Sequence, residues 1–344
     1  MREFSREEVK RVIEGKGRAE RVPILYDMWI YPWIYGELQK DFEDFLKNQP
    51  KDVDIVDLVL PDNFEAPEDA PDYRWAPEGW EKKEGVGLDQ CGIADEWEDM
   101  ETVYEAFPST EYKGLIPNVE TGKNKYTIAR WCFCFFERLW SLRGMENALT
   151  DFYLYPEEVH RLFSKLTDYY MRIMERAREE AGVDAIFTTD DIGTQTGPFF
   201  SLEIFREFFK PYYKKLIDKA HSMGMHFWLH TCGNIDLFME DFIDIGLDVI
   251  HPIQKYAMNP RETAEKYGGR ICFLAGFDVQ RIIPYGTTEE VRQEVREMID
   301  TFSREEGLFM LTMGNGSTID WKLESLEALY DETVQYSLKK YGSV

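Results

Sequence analysis

A histidine and a cysteine stand two residues apart in "FWLHTCGNID" (227–236), at the end of an apolar run. In an extended strand, residues i and i+2 point to the same side. His230 and Cys232 would therefore present an imidazole and a thiol in one direction, two usual zinc donors and half of a tetrahedral shell. An isolated H-x-C is short, and the same pair could end a strand with no metal role. Spacing leaves both readings open.

Carboxylates supply a second set. Asp190 and Asp191 in "TTDDIGTQTG" and Asp278 in "AGFDVQ" join His230 as candidate catalytic groups. Adjacent acids at one mouth repel each other, which argues against both being idle, although Asp191 could equally cap a following helix. Candidate substrate-binding residues are Tyr26, Trp29, Glu137, Gln195, Gln254 and Asn315. Trp29, Tyr31, Trp33 and Tyr35 alternate, and would pack on a flat or apolar ligand or on Trp75 and Trp80. His251 reads as a strand-end hydrogen-bonder, and Cys272 as a core residue. His160, His221 and His226 need no special role. The set holds few basic groups and no glycine-rich phosphate cradle.

These residues need a frame. Eight apolar segments alternate with helical ones: "VPILYDMW", residues 54 to 60, "KYTIARWCF", "DAIFTTDD", "HFWLHTCG", "DVIHPIQ", "ICFLAGFD" and "LFMLTMGNG". Continuous apolar strands between helices imply a parallel sheet covered on both faces. Eight such units predict a (β/α)8 TIM barrel, with chemistry at the C-terminal strand ends. No G-x-G-x-x-G follows the first strand, which weakens a dinucleotide-binding alternative. The whole of 1–344 reads as one domain. Residues 61–122, rich in Pro, Asp, Glu and Trp, read as an insertion packed as a lid and carrying a short hairpin. "EWEDMETVYE" within it reads as a solvated acidic face. "FSREEVKRVIEG" predicts a helix capped by Ser5.

The net charge of −25 disfavours nucleic acid and anionic membranes as partners. Five cysteines without a framework suit reduced thiols and a cytoplasmic setting. The charged N-terminus is no signal peptide, and no apolar run reaches 18 residues.

The segments "RVPILYD", "LRGMENALTDFYLYPEEV", "GVDAIFTTDDIGTQTGPFFS", "HTCGNI", "GLDVIHPIQ", "GRICFLAGFDVQRIIPYGTTEEVRQEV" and "GLFMLTMGNG" together resemble the uroporphyrinogen decarboxylase superfamily. The resemblance runs from about residue 1 to 340 and itself implies a TIM barrel, commonly as a homodimer. True decarboxylases of that superfamily carry an arginine-rich stretch after the first strand. Here "YDMWIYPWIYGE" has none, so decarboxylation of an octa-carboxylate tetrapyrrole is rejected. The other branch implies a corrinoid-linked methyltransferase of anaerobic one-carbon metabolism, acting with a corrinoid (cobalamin) protein. Many members hold zinc through H-x-C and a later cysteine, and activate a thiol such as coenzyme M. His230 and Cys232 match the first two ligands, but Asn315 stands where the third cysteine is expected.

Two versions follow. In one, a carboxylate such as Glu137 or Asp278 completes a zinc site with His230 and Cys232. In the other, slightly favoured by the missing cysteine, there is no metal and the strand-end acids and amides bind tetrahydrofolate. The expected reaction is methyl transfer between the corrinoid protein and tetrahydrofolate or a small methylated substrate, as in O-demethylation. The alternatives are a decarboxylase or lyase of a small acid, or a non-catalytic partner of a corrinoid protein.

Overall fold

A computed structural model describes residues 2–61, 66–76, 80–81, 92–119 and 121–342. Its strands are β1 (Ile24–Leu25), β2 (Val53–Asp57), β3 (Tyr126–Trp131), β4 (Ala185–Thr189), β5 (His226–His230), β6 (Val249–His251), β7 (Cys272–Phe277) and β8 (Phe309–Met313). All pairs are parallel, from β2 through to β8, and β8 pairs with β1. The result is a (β/α)8 barrel with one seam, between β1 and β2. Every residue of β4, β5, β7 and β8 is buried, which is why these strands read as continuous apolar runs.

The helical layer begins with α1 (Arg6–Ile13), where Ser5 and Glu8 form the reciprocal capping box that the sequence predicts. It continues through α2 (Gln39–Lys47), α3 (Met100–Glu105), α4 (Phe136–Arg143), α5 (Met145–Leu154) and α6 (Pro156–Ala181). After β4, α7 (Leu202–Ile204) passes through a π-helical turn into α8 (Lys210–Ser222). Then come α9 (Met239–Asp244), α10 (Pro260–Tyr267), α11 (Ile282–Tyr285), α12 (Thr288–Phe302) and α13 (Leu323–Tyr341). Among the described residues, no helix is long and apolar enough to cross a membrane.

β1 is much shorter than the apolar run around it. It ends where the Tyr26 carbonyl accepts from the Tyr330 hydroxyl of α13 instead of from a strand. The aromatics that follow do not form one face, because residues 32–38 coil into a 3-10 turn. Tyr35 stacks on Phe42 at 3.7 Å, Trp33 is two-thirds exposed, and Trp29 alone of the four packs against the imidazoles of β5 and β6.

At the N-terminal end of the barrel, three aspartates each precede an even-numbered strand and accept an N–H from the neighbouring odd-numbered one. Asp52 accepts from Ile24 (3.0 Å), Asp184 from Thr127 (3.1 Å) and Asp248 from Phe227 (2.7 Å). Asp52 is fully buried, also accepts the Phe4 N–H, and grips Arg21 through two bonds of 2.6 and 2.7 Å. At the seam, this carboxylate joins β1 to β2 in place of a backbone ladder.

The described parts of the 61–122 segment pack against the barrel wall. Trp75 is buried, its indole N–H donates to the Val103 carbonyl of α3, and Arg138 of α4 lies over its ring. "EWEDMETVYE" is two-faced: its glutamates are exposed as expected, but Trp97, Met100, Val103 and Tyr104 turn into the core. The expected hairpin falls largely outside the described residues, as does Cys91.

Candidate metal and substrate site

Register brings the donors together. β4 and β5 pair Thr189 with His230, so two residues further on Asp191 lies beside Cys232. The Cys232 N–H donates to Asp191 Oδ1 at 2.8 Å. Two glycines allow this approach: a Cβ on Gly233 (φ +85°) would stand 2.4 Å from the Gly193 carbonyl carbon. His230 Nε2 lies 3.5 Å from Asp191 Oδ1 and 3.4 Å from Cys232 Sγ, and one donor atom from each of the three residues falls within a 4.8 Å span. A tetrahedral ion with ligands about 2.0–2.3 Å away separates them by roughly 3.3–3.8 Å. The set fits a divalent ion that takes nitrogen, sulfur and oxygen together.

The orientation of His230 follows from its neighbours. His251 Nε2 lies 2.9 Å from the Met313 carbonyl, which can only accept, so that nitrogen carries the proton. His230 Nδ1 and His251 Nδ1 are 2.6 Å apart. Burial pulls both imidazoles below their ordinary pKa, leaving each with one proton. His251 Nδ1 therefore accepts and His230 Nδ1 donates. The lone pair of His230 Nε2 is left facing Asp191 and Cys232, the tautomer a metal ligand needs. Trp29 stacks on the His251 ring (6.1 Å, 8°) and lies 5.2 Å from the His230 ring, which fixes the pair further.

Asn315 does not act as a third ligand in place of a cysteine. Its amide donates to Cys232 Sγ at 3.3 Å. Burial, with Asp191 and Glu137 beside it, drives the Cys232 thiol far above its usual range. The carboxylate brought to the pair is Asp191, and neither Glu137 nor Asp278 joins that cluster. Glu137 is buried and accepts from the Thr189 hydroxyl at 2.6 Å. Burial and the Asp191 and Asp190 charges hold its carboxyl well above the usual range. Both oxygens of Asp278 are taken, one by the N–H groups of Gln280 and Arg281 and the other by the Tyr256 hydroxyl.

Two other expected residues sit elsewhere. Asp190 is fully buried beneath the mouth, where it accepts from the Phe135 and Glu137 N–H groups and the Tyr213 hydroxyl. Burial pushes its carboxyl up to about 6. It frames the start of α4 instead of facing a substrate. Tyr26 is buried edge-on against Tyr330 of α13 at 4.0 Å, on the helix side of β1, so it is no substrate contact. Gln195 is exposed and donates to the Tyr256 carbonyl, and Gln254 accepts the Gly233 N–H at 2.8 Å. A cavity of about 50 Å³ opens beside Cys232, lined by Gln254, Tyr256, Asp278 and Asn315 among others.

Arg130 was not singled out by the sequence reading, and His251 was read only as a strand-end hydrogen-bonder, which its bond to the Met313 carbonyl matches. In "YTIARW", Arg130 shares a face with Tyr126, whose ring stacks on Trp228. Strand alternation thus carried a signal for an inward arginine. Its guanidinium lies 5.1 Å from the Trp29 ring, so the mouth is less poor in cations than expected.

With this geometry in view, the chain resembles known proteins at three levels. The Uroporphyrinogen decarboxylase (URO-D) family matches residues 136–336. The uroporphyrinogen decarboxylase of Danio rerio is 23% identical over 266 residues, covering 71% of this chain and 64% of that protein. A methylated-thiol–coenzyme M methyltransferase of Methanosarcina mazei is 22% identical over 233 residues, covering 68% and 57%. The chain thus spans less than two thirds of either relative. A solved methyltransferase from Methanosarcina mazei shares the fold, with a TM-score of 0.62 at 15% identity over 97% of this chain and 99% of that one.

Proposed function

The chain belongs to the uroporphyrinogen decarboxylase family, matched over more than half its length, and from that premise we propose that it is a methyltransferase. It moves a methyl group between a corrinoid protein and a thiol-type small molecule, with Asp191, His230 and Cys232 holding zinc. The observation that carries this reading is the convergence of those three donors at the C-terminal strand ends. A relative named for a methylated thiol and coenzyme M supports it. When bound, the ion lowers the proton affinity of a thiol so that thiolate is available near neutral pH. His251 and Trp29 hold the His230 lone pair in place, and Asn315 orients the Cys232 sulfur. In the displacement the sulfur lone pair forms the new S–CH3 bond, and the electron pair of the broken methyl bond stays with the donor.

The tetrahydrofolate version loses two of its carboxylates, because both oxygens of Asp190 and of Asp278 are already engaged by protein groups, and rests on Glu137, of which one oxygen accepts from the Thr189 hydroxyl. A second reading, decarboxylation of a small acid, gains from Arg130 at the mouth and is separated by an assay of CO2 release.

The test is metal content of untagged protein together with methyl transfer from methylcobalamin to a thiol. Wild type is expected to carry about one zinc per chain, and Cys232→Ala to lose it. His230→Ala should transfer methyl at least tenfold more slowly, a loss of roughly 1.4 kcal/mol or more in transition-state stabilisation. A metal-free wild type, or a His230→Ala variant at the wild-type rate, would sink this reading.

A further inference from the structure

Three cavities lie in series between the outer wall of the barrel and the donor cluster. The innermost is the space of about 50 Å³ beside Cys232, which Lys255 and Gly276 help to wall. The same two residues wall a second cavity of about 260 Å³, closed on its other side by α10 and α12. That one shares Arg261, Glu297 and Thr301 with a groove of about 540 Å³ between the same two helices. No side chain can stand at Gly276, where a Cβ would lie 2.8 Å from Pro252 Cβ and 2.4 Å from Gly314 Cα. The inner boundary is therefore bare backbone at Gly276 with the Lys255 side chain beside it. Lys255 pairs with Glu294 of α12, which is buried. Burial holds the Glu294 carboxyl above its usual range in spite of the ammonium. Desolvation thus offsets the attraction, and the flexible lysine stem can swing aside at little cost.

We propose that this series is a side entrance by which the small molecule reaches the donor cluster while the methyl donor covers the mouth. The inference deepens the methyl-transfer reading and rests on it for what stands over the mouth. A methyl group passes directly only between closely apposed atoms, so a donor in position lies on the open end of the barrel. A corrin is far broader than an acceptor of a few atoms, and it blocks that route for acceptor and product alike. The groove between α10 and α12 reaches the same cluster through the barrel wall and stays clear of the donor. Its lining also selects what can travel. In the middle cavity Lys255 and Arg261 stand with Glu294 and Glu297, so neither sign of charge is drawn in over the other. Ile253 and Met298 add apolar surface beside them. The class that fits is a neutral or zwitterionic molecule of a few heavy atoms.

The experiment reads, by fluorine NMR, how fast 2,2,2-trifluoroethanethiol exchanges with the full-length, zinc-loaded protein, with and without saturating methylcobalamin. In wild type, methylcobalamin should slow the exchange by less than about twofold, because the side route stays open. Thr301→Trp, checked for an unchanged melting temperature and metal content, fills the passage where the groove meets the middle cavity. In that variant methylcobalamin should slow the exchange about fivefold or more. If Thr301→Trp fails to fold, Glu297→Trp places the same bulk at an exposed residue that walls both spaces. A response to methylcobalamin that is alike in wild type and plugged protein, or no thiol exchange in wild type, overturns the entrance. Steady-state methyl transfer to 2-mercaptoethanol is the second arm. Wild type should rise to a plateau with methylcobalamin, whereas Thr301→Trp should be inhibited at high concentration, since its thiol must enter first. A protein that transfers no methyl but shows the plug-dependent exchange keeps the entrance and loses only the reaction. Transfer with the same inhibition in both proteins keeps the reaction and overturns the entrance.

Discussion

At the N-terminal end of the barrel, Asp52, Asp184 and Asp248 direct their oxygens to backbone N–H groups and to Arg21, Arg6 and His221. At the C-terminal end, Asp191 and Cys232 face each other and the mouth, the Cys232 thiol is held far from its ordinary pKa, and Arg130 keeps one edge unpaired. The acids are the same residue type, and what differs is whether their bonding capacity is filled by the chain. Filled groups hold strands together, whereas groups framed by filled neighbours (Asp190, Asp278 and Gln254 fix the loops around them) keep capacity for a ligand. This division between a stabilising bottom and a reactive top is the expected polarity of the barrel.

The comparison can be broken most forcefully at the seam. Asp52→Ala strands a buried guanidinium and should cost about 3–5 kcal/mol in urea unfolding, with zinc per folded chain unchanged. A loss below about 1 kcal/mol would show that this carboxylate does not hold the seam. At the other end, His251→Phe keeps a ring but frees His230 from its tautomer. Metal affinity, measured by chelator competition, should fall about 10–100-fold; an unaltered affinity would remove the relay from the account.

The smallest effect tests pH at the bottom. Burial lowers the pKa of His226, whose Nδ1 bonds the Tyr126 hydroxyl at 2.6 Å. The unfolded chain therefore takes up this proton first as pH falls below about 6.5, and the native state loses stability across that window down to the depressed folded value. Thermal melts at pH 8 and pH 5 should show the advantage of wild type over His226→Gln shrinking on acidification. An advantage that grew would reverse the sign.

Much of this was readable before any coordinates. The His230–Cys232 pair, the parallel barrel and the Ser5 cap depend on spacings within a few residues, and all are where those spacings put them. The third donor was missed because Asp191 reaches Cys232 through the register between β4 and β5, which no local pattern contains. Period two did hold a usable hint: adjacent residues face opposite ways, so Asp190 and Asp191 could not both line one mouth. Tyr26 was misplaced for a related reason, since β1 is only two residues long and gives no firm parity. The role of His251 depends on a carbonyl 62 residues away, beyond what sequence spacing can show.

The seam has a further consequence for how the molecule assembles. Asp191, His230, Cys232 and His251 belong to β4, β5 and β6 and the turns that follow them, joined by ladders between strands that are neighbours in sequence. Closing the ring instead requires β1 to meet β8, across nearly the whole chain. Contacts between near neighbours close shorter loops and form at lower entropic cost. The donor cluster is thus encoded in a compact central stretch, whereas β1, with two residues paired to β8 from the far end of the chain, closes the ring at the greatest entropic cost.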